Sequence, residues 1–138
     1  MTNSLIIRLL TSGLMIIIGT AIYIISRENI IFFDWVPQSV MHRLSIIEIE
    51  DTSLWGYFIK YCLPDGLWYA ALLIFQDTFL DKSTSGKIIY WICALLPFVW
   101  EIAQLHYAVS GTFDPMDLLV YLFVFIIFTL TCLFDRKI

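Results

Sequence analysis

At 138 residues the chain has room for one domain, and 60% of its residues are hydrophobic while only 14% are charged. A water-soluble domain of this size could not bury so much apolar surface, so the composition excludes one and leaves a membrane bundle. The formal charge of −4 says little for a chain whose surface faces mostly lipid, and it points to no nucleic-acid partner.

Apolar runs separated by short charged clusters predict an all-α polytopic fold with four transmembrane helices, at about 5–25, 55–80, 88–104 and 115–134. The first run follows Arg8 and has small residues, Thr20 and Ala21, near its end, as a secretory leader would. Its length suffices to span and no small-x-small cleavage site closes it, so it reads as a retained helix. Gly13, Gly19, Thr20 and Ala21 offer small surfaces for close helix contact. Segment two carries Lys60, Pro64, Asp65 and Gly66 ahead of its apolar stretch Leu67 to Gln76, which predicts a kink near Pro64. Segment three contains Pro97 and, near its end, Glu101. Segment four is uncharged from Leu118 to Phe134 and is stopped by Asp135, Arg136 and Lys137.

The stretch 27–53 between segments one and two is too apolar to float in water, with Ile30 to Phe33, Trp35 and Val36. It is expected to lie along the headgroup region as an interfacial segment on the extracytoplasmic side. Four crossings put both termini on one side, together with Arg8, Lys82, Lys87, Arg136 and Lys137, whereas Arg27 and Arg43 fall on the other, with Lys60 near a helix end there. Positively charged loops are retained inside, so both termini and the Asp81 to Lys87 loop are expected in the cytoplasm.

Charges within spanning segments are costly and each needs a reason. Counted along the helices, Asp65 lies ~18 Å above Asp77, Glu101 ~21 Å above Lys87, Lys60 ~25 Å up and Asp117 ~27 Å up, with His106 and Asp114 higher. Glu101 and Gln104 are three apart, as are Asp114 and Asp117, so each pair shares a helix face. Asp65, Glu101, Gln104, Asp117, Lys60 and His106 are therefore the candidate ligand-binding residues of an outer-half polar pocket, with Trp68, Tyr69 and Trp100 as its walls.

Plainer roles compete with this reading. Asp114-Pro115-Met116-Asp117 has the form of a helix start, Lys60 and Asp117 could make a structural ion pair, and His106 could be merely interfacial. No nucleophile motif or phosphate-binding loop is present. Cys62, Cys93 and Cys132 sit inside apolar runs without metal-site or redox spacing and read as buried small hydrophobes. Neither a cofactor nor a resident metal is expected.

Trp100-Glu101-Ile102-Ala103-Gln104, then Gly111-Thr112-Phe113-Asp114-Pro115-Met116-Asp117 leading into an apolar helix, resembles the VanZ-like family of small bacterial membrane proteins. Leu63-Pro64-Asp65-Gly66-Leu67-Trp68 is similar to that family's polar interruption of an earlier helix. The resemblance covers roughly Lys60 to Phe128. The loop before Asp114 lacks the arginine expected of the family, and Tyr121 to Phe128 is wholly apolar where a polar or glycine-containing turn is expected. The resemblance implies a multi-pass protein of the bacterial cytoplasmic membrane with a role at the cell envelope, the family's namesake being linked to glycopeptide resistance. It supplies no reaction.

The resulting expectation is a protein that binds an envelope lipid or lipid-linked precursor, with membrane lipids as partners. Two alternatives stand beside it. One is a noncatalytic subunit or scaffold bound to another membrane protein. The other is a metal-assisted enzyme with oxygen ligands from Asp65, Glu101 and Asp117.

Overall fold

With no water available in a bilayer core, a spanning backbone must satisfy its own polar groups, and uncharged runs of Leu, Ile and Phe do so as helices. The computed structural model describes residues 2–26, 37, 39, 52–109 and 111–135, with side chains from 5 to 132 in that set, and it contains no strand among them. Its helices are α1 (Thr2–Ser26), α2 (Leu54–Tyr57), α3 (Leu63–Phe79), α4 (Thr84–Leu105) and α5 (Pro115–Asp135). Four stretches are long and apolar enough to cross a membrane: Leu5–Ser26, Leu54–Phe79, Thr84–Leu105 and Pro115–Cys132. Apart from Pro37, Ser39, Thr52 and Ser53, the expected interfacial segment 27–53 lies outside the described residues, as do Arg136 and Lys137.

The expected kink near Pro64 takes the form of a π turn, Phe58–Cys62, that fuses α2 and α3 into one rod. Pro64 has no N–H to donate, and in a regular helix its ring would press on the Lys60 carbonyl. Widening the turn removes the clash, and the Leu63 N–H instead reaches the Phe58 carbonyl, five residues back. Helix starts are set by serines. The Ser53 hydroxyl accepts from the Gly56 N–H at 3.0 Å, and Ser83 accepts from the Gly86 N–H at 3.1 Å. The second cap starts α4 at Thr84, ahead of the expected 88.

The α3 helix is central, with α1 along one flank, α5 along another and α4 against both α3 and α5. Gly19 of α1 is where α3 comes closest: a β-carbon there would lie 2.9 Å from Trp68 Nε1 and 3.2 Å from the Pro64 carbonyl oxygen. Gly13 faces open space and takes no part in this packing. The core centres on Tyr69, Leu73 and Ala94. Tyr69, expected as a pocket wall, instead packs edge-to-face on Phe98 and Tyr121 and donates its hydroxyl to the Ala94 carbonyl at 2.9 Å. Pro97 deprives the same stretch of α4 of one intrahelical bond. The opposite faces of the helices are apolar and open, with Leu10, Ile17, Ile92 and Phe123 all at least 60% exposed, as lipid-facing residues would be. Ser12, Ser26 and Thr78 hydroxyls donate to carbonyls one turn back, so these three need no water. Of the cysteines only Cys62 is fully buried; Cys93 and Cys132 are partly exposed.

The Arg8 guanidinium meets Asp77 at 2.5 Å, pinning the start of α1 to the end of α3. Cys132, near the end of α5, borders the same hollow as Asp77 and Lys82. Both ends of the described chain therefore lie at one end of the bundle, the Lys82 end. Glu101 and Asp114 occupy the other.

Candidate functional site

The Asp114 end gathers the carboxylates that helix arithmetic brings to similar depth. Glu101 is 6% exposed, an unusual state for a carboxylate. Its Oε2 accepts from the Asp114 backbone N–H at 3.3 Å, so the chain entering α5 is tied to the last turns of α4. The Gln104 amide completes the link: its nitrogen donates to Glu101 Oε2 and to the Thr112 carbonyl, each at 3.2 Å, and its oxygen accepts from Trp100 Nε1 at 3.3 Å. This is the pairing expected of residues three apart on one helix face.

Asp114 uses its two carboxylate oxygens differently. Oδ1 accepts from the Met116 N–H at 2.8 Å, which caps α5. Oδ2 accepts a short hydrogen bond from the Tyr57 hydroxyl of α2. Capping and tertiary contact thus share one side chain. Asp117 sits half-buried in the first turn of α5, with its N–H on the Asp114 carbonyl at 3.1 Å. Asp65 is half-buried in the first turn of α3. Tyr121 lies one turn below Asp117 and packs edge-to-face on Tyr69 and Phe98. Lys60, in the π turn, lies over the Tyr61 ring at 5.4 Å. His106 caps the C-terminus of α4, is exposed, and its ring bonds to none of the cluster. Trp68 packs on Tyr23 and against Gly19, away from the cluster. Trp100 alone among the expected walls touches it.

Two residues that carry the arrangement have no role legible in the sequence. Tyr57 is one; its only sequence signal is a phenol one helical turn before Lys60 and Tyr61. Gly111 is the other. Its φ is +127°, a conformation that favours glycine, and a β-carbon there would meet the side-chain amide of Gln104, over which the loop closes.

The turn leaving α4 is a Schellman motif, with the Tyr107 N–H on the Gln104 carbonyl and the Ala108 N–H on the Ala103 carbonyl, both at 2.9 Å. Glycine normally fills the left-handed position, yet Tyr107 holds it at φ 55° and is 95% exposed. An exposed tyrosine kept in a strained position suits an interfacial anchor. Tyr107→Gly is expected to raise stability in detergent by about 0.5–1 kcal/mol, read as a higher unfolding midpoint.

Chemically the cluster is rich in acceptors, and its donors are mostly committed to one another. It suits ligands that bring N–H or O–H groups, such as amines and sugar hydroxyls. Among the described residues no three of His, Cys, Asp and Glu converge to hold a metal ion. No family model matches this chain, and no curated protein or solved structure matches it.

Proposed function

We propose that the chain is a VanZ-like envelope protein that binds the donor-bearing headgroup of an envelope lipid or lipid-linked precursor at the Asp114 end. The observation that supports this is the buried Glu101 carboxylate, joined to Asp114 and Gln104 beside a third helix that contributes Tyr57. A carboxylate held at that depth needs a compensating role, and a headgroup amine or sugar hydroxyl supplies one. By the distribution of lysine and arginine both termini face the cytoplasm and this end faces outward, where it would meet precursors displayed on the outer leaflet. The family resemblance extends the role to the glycopeptide response.

The test is lipid retention by the purified protein, comparing phosphatidylethanolamine and a glycosyl diacylglycerol with phosphatidylcholine, whose headgroup has no N–H or O–H. The donor lipids are expected to be retained preferentially, and Glu101→Gln is expected to weaken that preference about tenfold, the scale of one charge-assisted hydrogen bond. Equal retention of phosphatidylcholine, or full retention by Glu101→Gln with the helical fold intact, would overturn the reading. A reporter fused after Ile138 is expected to be active only in the cytoplasm.

A further inference from the structure

The Lys82 end holds a cavity of about 480 Å³ between α3, α4 and α5. One wall is apolar and aromatic, formed by Trp91, Phe125 and Phe128, and the exposed Lys82 and Lys87 stand at the mouth. Gln76 stands between the two, one turn before the end of α3. Only 4% of Gln76 is exposed, and neither atom of its amide has a hydrogen-bond partner. A buried amide without partners costs about 1–3 kcal/mol in a protein, so one that borders a cavity signals something that bonds to it there.

The charges around the rim identify the ligand's sign. Asp77 is neutralised by Arg8 at 2.5 Å. Asp81 accepts from the Ser83 N–H at 3.3 Å and from its hydroxyl, and it abuts Gly86, so it is engaged in forming the turn. Lys82 and Lys87 make no ion pair among the described residues, and against the single charge of Asp81 they leave the mouth net positive. Cations at the rim, an amide one turn below and an aromatic wall follow the polarity of a glycerophospholipid, read from phosphate through ester to chain. A soluble phosphate compound would use only the rim and leave both Gln76 and the aromatic wall without a partner.

We propose that this cavity holds one anionic glycerophospholipid, its phosphate at Lys82 and Lys87, its ester region at Gln76 and the start of one chain against Trp91, Phe125 and Phe128. The site is separate from the Glu101 cluster, at the opposite end of the bundle.

Native mass spectrometry of the whole protein, offered phosphatidylglycerol or phosphatidylcholine, tests it. One phosphatidylglycerol is expected to be retained, with a preference of about tenfold or more, equivalent to ~1.4 kcal/mol. The Lys82→Gln/Lys87→Gln double variant, changed only at exposed positions, is expected to lose the preference, and Gln76→Leu to lose retention while keeping the fold. Glu101→Gln is expected to leave this binding untouched, which keeps its failure distinct from that of the outer site. Equal retention of both lipids, an unchanged preference in the double variant, or displacement of the lipid by inorganic phosphate would each overturn the proposal.

Discussion

Gly66→Val is expected to lose the packed bundle, seen as aggregation or a broadened peak in detergent and a stability lowered by about 2–3 kcal/mol or more. Gly66 is where α3 meets α5, and even a β-carbon there would sit 2.7 Å from Val120 Cγ1. Val120 cannot turn aside, because a β-branched side chain on a helix has essentially one rotamer. Helix propensity pulls the other way, since replacing glycine usually helps a helix by up to about 1 kcal/mol. The contact outweighs it here. Gly66→Ala combined with Val120→Ala should therefore be tolerated, because the second change removes the atom in the way. Wild-type stability in Gly66→Val alone would mean that the two helices are not this close.

Gly111→Ala carries the second large effect, and it acts through the backbone and the candidate site together. At φ +127° an alanine is strained by about 1–3 kcal/mol, and its β-carbon meets the Gln104 amide besides. Relief requires the loop to open or Gln104 to leave, and either frees Glu101 from the nitrogen that holds it. The expected result is a lower midpoint together with loss of donor-lipid preference. Adding Gln104→Ala should recover the steric part of the stability and none of the preference. Binding unchanged in Gly111→Ala would show that Gln104 does not position Glu101.

The spanning helices were legible in the sequence because lipid allows few alternatives to a helix, and long uncharged runs mark where it must form. Their ends were less so: α4 starts at Thr84 because Ser83 caps it, a detail that apolarity does not announce. Depth along a helix follows from counting, so Glu101, Gln104 and the Asp114 turn could be placed at one level before any contact was known. Which neighbour each side chain meets does not follow from counting. Tyr69 was expected at the pocket but turns into the core, because its face of α3 meets Ala94 and Phe98 of α4. Tyr57 lies 57 residues from its partner Asp114, and pairing at that separation is decided only by how the helices assemble. Lys82 and Lys87 served as orientation signals, and Gln76 as the end of an apolar stretch. Their shared cavity exists only once three helices close around it.

The widened turn at Phe58–Cys62 also acts as a phase shifter. In an uninterrupted α-helix, Tyr57 and Asp65 would be eight steps apart and about 80° out of phase. A π turn takes up roughly one residue without adding its rotation. The effective spacing falls to about seven steps, and the two side chains come within about 20° of a common azimuth. Proline at 64 thus does more than relieve its own clash. By forcing one residue out of step, it turns the upstream phenol toward α5, where Tyr57 meets Asp114. Regularising the turn at full length, as Pro64→Ala would permit, would restore eight steps and aim Tyr57 elsewhere, a change that hydropathy alone would not register.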